Sequence, residues 1–291
     1  MQIPYEFLLG WRYTRAGRAT RRNGFISFIS GVSMLGIALG VAALIVVLSV
    51  MNGFQQEVRD RMLGVLSHVE VFTPDGGALP DLPTTLRELR VHPEVVGVAP
   101  FIAAQGLLAR GEDMKGVLLR GIDPAQEPAV TSLAGELAHT VLPQLQPGAF
   151  GIVLGGALAQ SLGLRVGDAV TLVAPSGQVT PAGVVPRLKQ MSVVGIFDSG
   201  HYEYDSTLAF IHIDDAARIF RLEGPTGVRL KLQDLHRARE VTQQLAGMVS
   251  GDLLLRDWTR QNRTWFAAVQ LEKRMMFIIL TLIVAVAAFN L

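Results

Sequence analysis

The chain has no cysteine, which excludes disulfide bonds, thiolate metal sites, cysteine nucleophiles and an acyl chain carried on a cysteine of its own. No nucleotide-binding P-loop is present: Gly155-Gly156-Ala157-Leu158 lacks the lysine and hydroxyl residue that such a loop places on phosphate. The HExxH, GxSxG and EF-hand patterns are missing as well. Nor is there a surplus of one charge. Lys and Arg number 26 against 25 Asp and Glu, a net +1, so the chain carries no nucleic-acid footprint. No cofactor and no catalytic residue is expected, and the chain reads as a non-enzyme.

What is present is apolar surplus. The composition is 49% hydrophobic with mean hydropathy +0.35, and the surplus sits in two runs, Phe25–Met51 and Met275–Leu291. A spanning helix needs about 20 apolar residues, since the hydrocarbon layer is about 30 Å thick and the rise about 1.5 Å per residue. The first run qualifies, and it is too long, with no small-x-small cleavage site, for a signal peptide. The second is still apolar at Leu291, so it reads as a span cut short and the chain as a fragment. Arg12, Arg15, Arg18, Arg21 and Arg22 precede the first run, which predicts a cytoplasmic N-terminus and an extracytoplasmic middle by the positive-inside rule. Tyr5, Trp11 and Tyr13 among these arginines suit an amphipathic helix on the membrane surface. Gly36 and Gly40 form a GxxxG pair that would let another helix approach closely. Phe54, Val58, Met62 and Val65 continue at helical spacing, predicting that the first helix extends outward as a stalk. Trp258, Trp265 and Phe266 predict a second incoming helix with aromatics near the interface.

Between the runs the pattern alternates. Strands are predicted at 68–73, 95–110, 116–122, 152–154, 169–174, 191–197, 207–213, 228–232 and 253–256, with helices at 83–90, 157–162, 214–220 and 235–248. This is a mixed α+β domain with a β-rich insert. His201, Glu203 and Asp205 would share one face of a strand, but they follow Asp198-Ser199-Gly200 and read as a solvated loop or strand end. His212, Asp214 and Asp215 read as a strand end with a helix cap. One loop stands out, Ala174–Gln190, APSGQVTPAGVVPRLKQ. Pro175, Pro181 and Pro186 stiffen it, Val184 and Val185 give it an apolar tip, and Arg187 and Lys189 give it a basic base. A docking element for another protein and a plain long hairpin both fit that pattern.

Several long segments occur together and in order: LLGWRYTRAGR (8–18), RNGFISFISGVSMLGIALGVAALIVVLSVMNGFQQEVRDRMLG (22–64), LLRGIDPAQ (118–126), VLGGALAQSLGLRVGD (153–168), VTPAGVVPR (179–187) and LEKRMMFIILTLIVAVAAFN (271–290). In these the chain resembles the LolC/LolE membrane subunits of the lipoprotein-releasing ABC transporter, within the MacB/FtsX-like permeases of Gram-negative bacteria. The resemblance implies an α+β membrane protein whose two transmembrane helices, the second incomplete, flank a large MacB-like periplasmic domain. Its layout would be a cytoplasmic N-terminus (1–24), a first span (25–51), a split mixed α/β lobe with stalks (52–128 and 224–272), an inserted β-rich lobe (129–223) and a second span (273–291). The coupling segment and the third and fourth spans of the family are not in this sequence.

The resemblance also implies partners. A separate LolD-like ATPase would drive the machine. A LolE-like second membrane subunit or a second copy of the chain would complete it, and the periplasmic carrier LolA would receive lipoproteins extracted from the inner-membrane lipid. Ala174–Gln190 matches the hook loop that docks LolA, which assigns Pro175, Gln178, Pro181, Val184, Val185, Pro186, Arg187 and Lys189 to carrier binding. Gly36, Gly40, Val47, Met51 and Phe54 would line the lipoprotein cavity or pack the helices. Other MacB- or FtsX-like permeases, and a two-span periplasmic sensor, are the alternatives.

Overall fold

The computed structural model describes residues 5, 23–65, 67–131, 140–180, 183–261 and 263–289. They fall into two units, Met1–Gln56 with Thr264–Leu291, and Glu57–Arg263. In the first unit, helix α1 starts at Asn23 and runs unbroken to Val65, well past the apolar run, as the helical spacing of Phe54 to Val65 requires. Its segment Gly31–Gly53 has mean hydropathy 2.7 and no buried residue, long and apolar enough to cross a membrane.

The second unit is a nine-stranded sheet with helices against it. After β1 (Val69–Phe72) comes α2 (Leu82–Arg90). Its cap is Asp81, whose carboxylate accepts from Thr84 N at 3.0 Å, with Pro83 in the first turn. Two long strands follow, β2 (Val95–Arg110) and β3 (Asp113–Ile122), then β4 (Gly151–Gly155) and α3 (Gly156–Ser161). The hairpin β5 (Ala169–Thr180) and β6 (Gly183–Phe197) leads to α4 (Tyr202–Thr207), β7 (Leu208–His212) and α5 (Ile213–Phe220). The chain then forms β8 (Gly227–Leu232), α6 (Ala238–Ala246) and β9 (Leu254–Asp257). Helix α7 (Trp258–Gln261) follows in this unit, and α8 (Arg263–Phe289) belongs almost wholly to the first.

The strand order β3-β7-β4-β6-β5-β2-β8-β1-β9 carries an additional β2–β3 pairing. That pairing closes β2, β3, β7, β4, β6 and β5 into a six-stranded ring, from which β8, β1 and β9 extend as an open wing. Alternation decides which side chains fill the ring. Ile152 and Leu154, Ala209 and Ile211, Val117 and Leu119, Val170 and Leu172 all join one buried cluster, completed by Leu158 of α3 and Ala216 and Ile219 of α5. The intervening Val153, Leu208 and Phe210 face outward into a second cluster with Leu142, Leu145 and Phe197. The wing is two-faced. Val69, Val71, Val228 and Leu230 are buried on one side, with α2 against β2 and α6 against β9. Glu70, Arg229 and Arg256 share the other, in register across three strands.

Four expectations change. The division at residue 128 cuts through the sheet, because β2 and β3 pair with β5 and β7 from the segment taken as an insert. His201–Asp205 is neither strand nor loop. It opens helix α4, with Glu203 and Asp205 in the first turn where carboxylates favour a helix N-terminus. Trp258 is 5% exposed inside the domain, its indole N–H donating to Leu235 O at 3.1 Å, rather than an interfacial aromatic. Pro175 and Pro186 do not end β5 and β6, whose pairing resumes beyond them.

Gly227 marks the passage from ring to wing. A Cβ there would stand 2.7 Å from the Phe101 ring and 2.6 Å from Val71 O. Gly227→Ala should therefore destabilise the domain by about 1–3 kcal/mol through overpacking. Gly116→Ala, where a Cβ meets nothing within 4 Å, should change little. Chemical denaturation of the detergent-solubilised chain followed by tryptophan fluorescence measures both.

Candidate functional site

The β5–β6 hairpin is held by the ring only at its root. β5 pairs with β2 over three residues, Thr171–Val173 against Ala109–Leu107, and β4 reaches β6 only from Ser192 onward. From Ala174 and Arg187 outward the hairpin is a two-stranded ribbon. Its register runs Ala174↔Arg187, then skips to Gln178↔Val185, Val179↔Val184 and Thr180↔Gly183. In the skip, Pro175, Ser176 and Gly177 oppose the single residue Pro186. Neither proline can donate a ladder hydrogen bond, so both sit where the ladder is already broken. Pro175 and Pro186 are exposed. Gln178, Val184 and Val185 lie on the ribbon by backbone register, their side chains outside the description, and Pro181 lies outside the described residues.

Arg187 and Lys189 lie at the base and are engaged within the chain. Arg187 Nη1 donates to Ile219 O at 3.3 Å, and Lys189 Nζ stands 3.3 Å from the centroid of the Phe150 ring. Phe150 itself has φ 52°, one of two non-glycine residues in the left-handed region among the described residues. Such a conformation costs about 1–3 kcal/mol and persists only where neighbours hold it. Here the fully buried Asp215 holds it, accepting from Gly148 N at 2.7 Å and Phe150 N at 3.0 Å. The capping reading of the 212–215 segment is otherwise correct: His212 Nδ1 accepts from Asp214 N at 3.1 Å.

Pattern reading did not single out a row of apolar side chains at this base. Leu107, Val173 and Leu188 stand in register across three adjacent strands on the outer face of the ring, with Leu107 41% and Leu188 68% exposed. The available signal was strand alternation, which puts Leu188 on the face opposite Met191, Leu172 and the other inward residues.

A second cluster lies where ring and wing meet. Glu70 accepts from Arg120 at 2.6 Å and Arg256 at 2.9 Å, and the buried Arg229 pairs with the buried Glu127. Arg120 and Arg229 stand over the Phe101 ring at 4.8 and 5.7 Å. Burial pushes the Glu70 carboxyl up, but the charges and hydrogen bonds of Arg120 and Arg256 outweigh it and hold it at about 2. Burial lowers the Arg229 guanidinium, with Glu127 acting the other way. Beside them a pocket of about 290 Å³ is lined by Gln105, Leu118, Tyr204 and Phe210 together with Arg120 and Arg229. Each of these guanidiniums already has its carboxylate, so the cluster ties ring to wing.

His201, Glu203 and Asp205 are not gathered. Asp205 is buried and accepts from Ser199 N and Oγ at 2.8 and 2.7 Å, His201 stacks on Tyr204, and Glu203 is exposed. Among the described residues no group of three or more His, Asp or Glu is placed to hold a metal. In the helical unit, a Cβ on Gly40 would lie 3.8 Å from Ile283 Cγ2 of α8, while Gly36 has nothing within 4 Å. Val47 is exposed and Met51 half-buried. Phe54 is on α1, its side chain outside the description.

The ring-and-wing domain following a membrane-length helix defines a class. Residues 30–248 match the family model of the MacB-like periplasmic core domain. The lipoprotein-releasing system transmembrane protein LolC of Neisseria meningitidis is 49% identical over 98% of this chain and 68% of its own length. The LolC of Xylella fastidiosa is 43% identical over 99% of this chain and 68% of its own. The LolE of Haemophilus influenzae is 28% identical over 98% and 68%. The chain belongs to the LolC/LolE family of lipoprotein-releasing system transmembrane proteins.

The Glu70 cluster sets an acid limb. A carboxyl held at about 2, against an ordinary value of 4.5, contributes stability that is complete above about pH 4.5 and is lost as pH falls toward 2. Thermal midpoints measured from pH 6 to 2 should fall over this window in the parent. In Glu70→Gln they should start lower and fall less.

Proposed function

We propose that the chain is a membrane subunit of a lipoprotein-releasing ABC transporter, which extracts outer-membrane lipoproteins from the inner membrane and hands them to the periplasmic carrier LolA. The observation that carries this is similarity to LolC proteins along nearly the whole chain, at 49 and 43% identity. ATP hydrolysis is the work of a separate LolD-like subunit. The second membrane subunit is LolE-like or a second copy of this chain. The five arginines ahead of α1 favour a cytoplasmic N-terminus, with the ring-and-wing domain in the periplasm.

Helix α8 is the second span in this reading. Gly40, close to Ile283, gives the two helices a small-residue contact. Gly36, Val47, Met51 and Phe54 on α1 would meet the lipoprotein's acyl chains. Each buried CH₂ holds a lipid anchor in the bilayer by about 0.8 kcal/mol. A triacylated protein therefore leaves only if ATP-driven movement expels it and a carrier waits nearby.

The hairpin is the docking element for that carrier. It leaves the ring as a ribbon of its own, and proline at both sides of its bulge stiffens it. The apolar row Leu107–Val173–Leu188 at its base offers the carrier an apolar surface beside the ribbon. Photoreactive residues placed at Val184 or Arg187 should crosslink LolA. Crosslinks confined to other parts of the domain would refute the hook.

A further inference from the structure

We propose that helix α5 is the bracket that sets the direction of the β5–β6 hairpin, with Asp215 as its positioning residue. The functional consequence, though not the bracket itself, rests on the docking role of the hairpin. A two-stranded ribbon with no third strand is a marginal structure on its own, and strand pairing fixes this one only as far as Val173. Two side chains at that root, Lys189 opposite Leu172 and Arg187 one rung beyond Val173, reach back to the body, and both lead to α5.

Arg187 Nη1 donates directly to the carbonyl of Ile219, near the C-terminus of α5. There the helix leaves carbonyls without partners in its own ladder, and their partial negative charge suits a guanidinium. Lys189 reaches α5 through an intermediate. Its ammonium rests on the Phe150 ring. That ring is presented by a backbone at φ 52°, pinned by the Asp215 carboxylate through the N–H groups of Gly148 and Phe150. Asp215 is in the first turn of α5 and Ile219 near its last. The helix thus grips the hairpin base at two points about one turn apart. Ser192 N, farther along the same strand β6, donates to Phe150 O at 3.1 Å, so Phe150 touches the hairpin strand through its backbone as well as its ring. The hydrogen bonds of the Asp215 carboxylate go to Gly148 and Phe150 rather than to the hairpin. Asp215 acts through Phe150.

The absence of native cysteine permits a direct test. Spin labels on Val184→Cys at the ribbon and on the exposed Gln243→Cys of α6 report the hairpin's direction by pulsed dipolar spectroscopy on the full detergent-solubilised chain. The parent should give one narrow distance peak. Asp215→Asn should broaden it. Because loss of that carboxylate can also unfold the domain, two milder variants decide the matter. Phe150→Gly adopts the left-handed backbone freely but removes the ring, and Lys189→Met keeps the stem but removes the charge. Each should lose the single narrow peak, while Lys189→Arg should keep it, a rescue that a merely structural role would not require. A peak as narrow as the parent's in both Phe150→Gly and Lys189→Met, or a broad distribution in the parent, overturns the proposal. The distances need no carrier. If they follow expectation while Val184 never crosslinks LolA, the bracket stands and the docking reading fails.

Discussion

Strand β2 belongs to the ring and the wing at once, and the rest of the domain depends on how it does so. Over Val95–Phe101 its partner is β8 of the wing; from Phe101 to Arg110 it is β3 of the ring. Phe101 is the last rung of one ladder, opposite Gly227, and the first of the other, opposite Ile122. The change of neighbour is finished by Thr226, whose N–H donates to Phe101 O at 3.0 Å and whose hydroxyl accepts from Ala103 N at 2.9 Å. Thr226 thus supplies partners for two backbone groups of β2 where wing and ring part. A glycine at 227 lets the Phe101 ring lie flat on the wing, and the ring in turn gives two guanidiniums a face to rest on.

That junction explains why so many charges are buried in one place. The wing's inner face is too close to the ring to be solvated, yet it carries Glu70 and Arg229. Taking either ion out of water alone would cost several kcal/mol, and pairing recovers that only when the geometry is close to complete. Arg120 comes from the ring and Arg256 from the wing's edge, and both close on Glu70. Glu127, just past the ring's β3, closes on Arg229. Ring and wing therefore exchange partners across the junction, so sliding one past the other would leave a buried ion alone. Apolar packing would hold the two together as well, but it would not fix their register.

What the sequence disclosed follows the range of the forces involved. Alternation in Val69–Phe72 and the strand-like runs of Val95–Arg110 and Leu208–His212 marked strands within a residue or two, because pattern and composition of this kind are local. The cap at His212 and the helix after it were legible for the same reason. Ring closure was not. It rests on pairing Leu118–Ile122 with Leu208–His212 across about ninety residues, and periodicity carries no record of a partner. The lobe boundary at 128 failed on that account. The 201–205 segment misled because its fate is set by Ser199, which captures the Asp205 carboxylate and turns the chain into α4. Pro175 and Pro186 do interrupt the ladder, but the sequence did not show that three residues on one strand would be set against one on the other.

That bulge is the last link between local chemistry and use. A smooth hairpin of this length would offer unpaired edges on both sides, inviting another strand to add to it. Setting Pro175 and Pro186 at the same level removes donors from both edges at once, so the ribbon is spoiled for strand addition while its far end, Gln178–Val185, regains its ladder. What such a ribbon presents is side chains rather than backbone, and at its base an apolar row instead of charge. A surface of that kind suits a partner that must be held and then released. Strand addition would grip through many main-chain bonds, whereas side-chain contacts on a stiff projection leave no ladder to be broken.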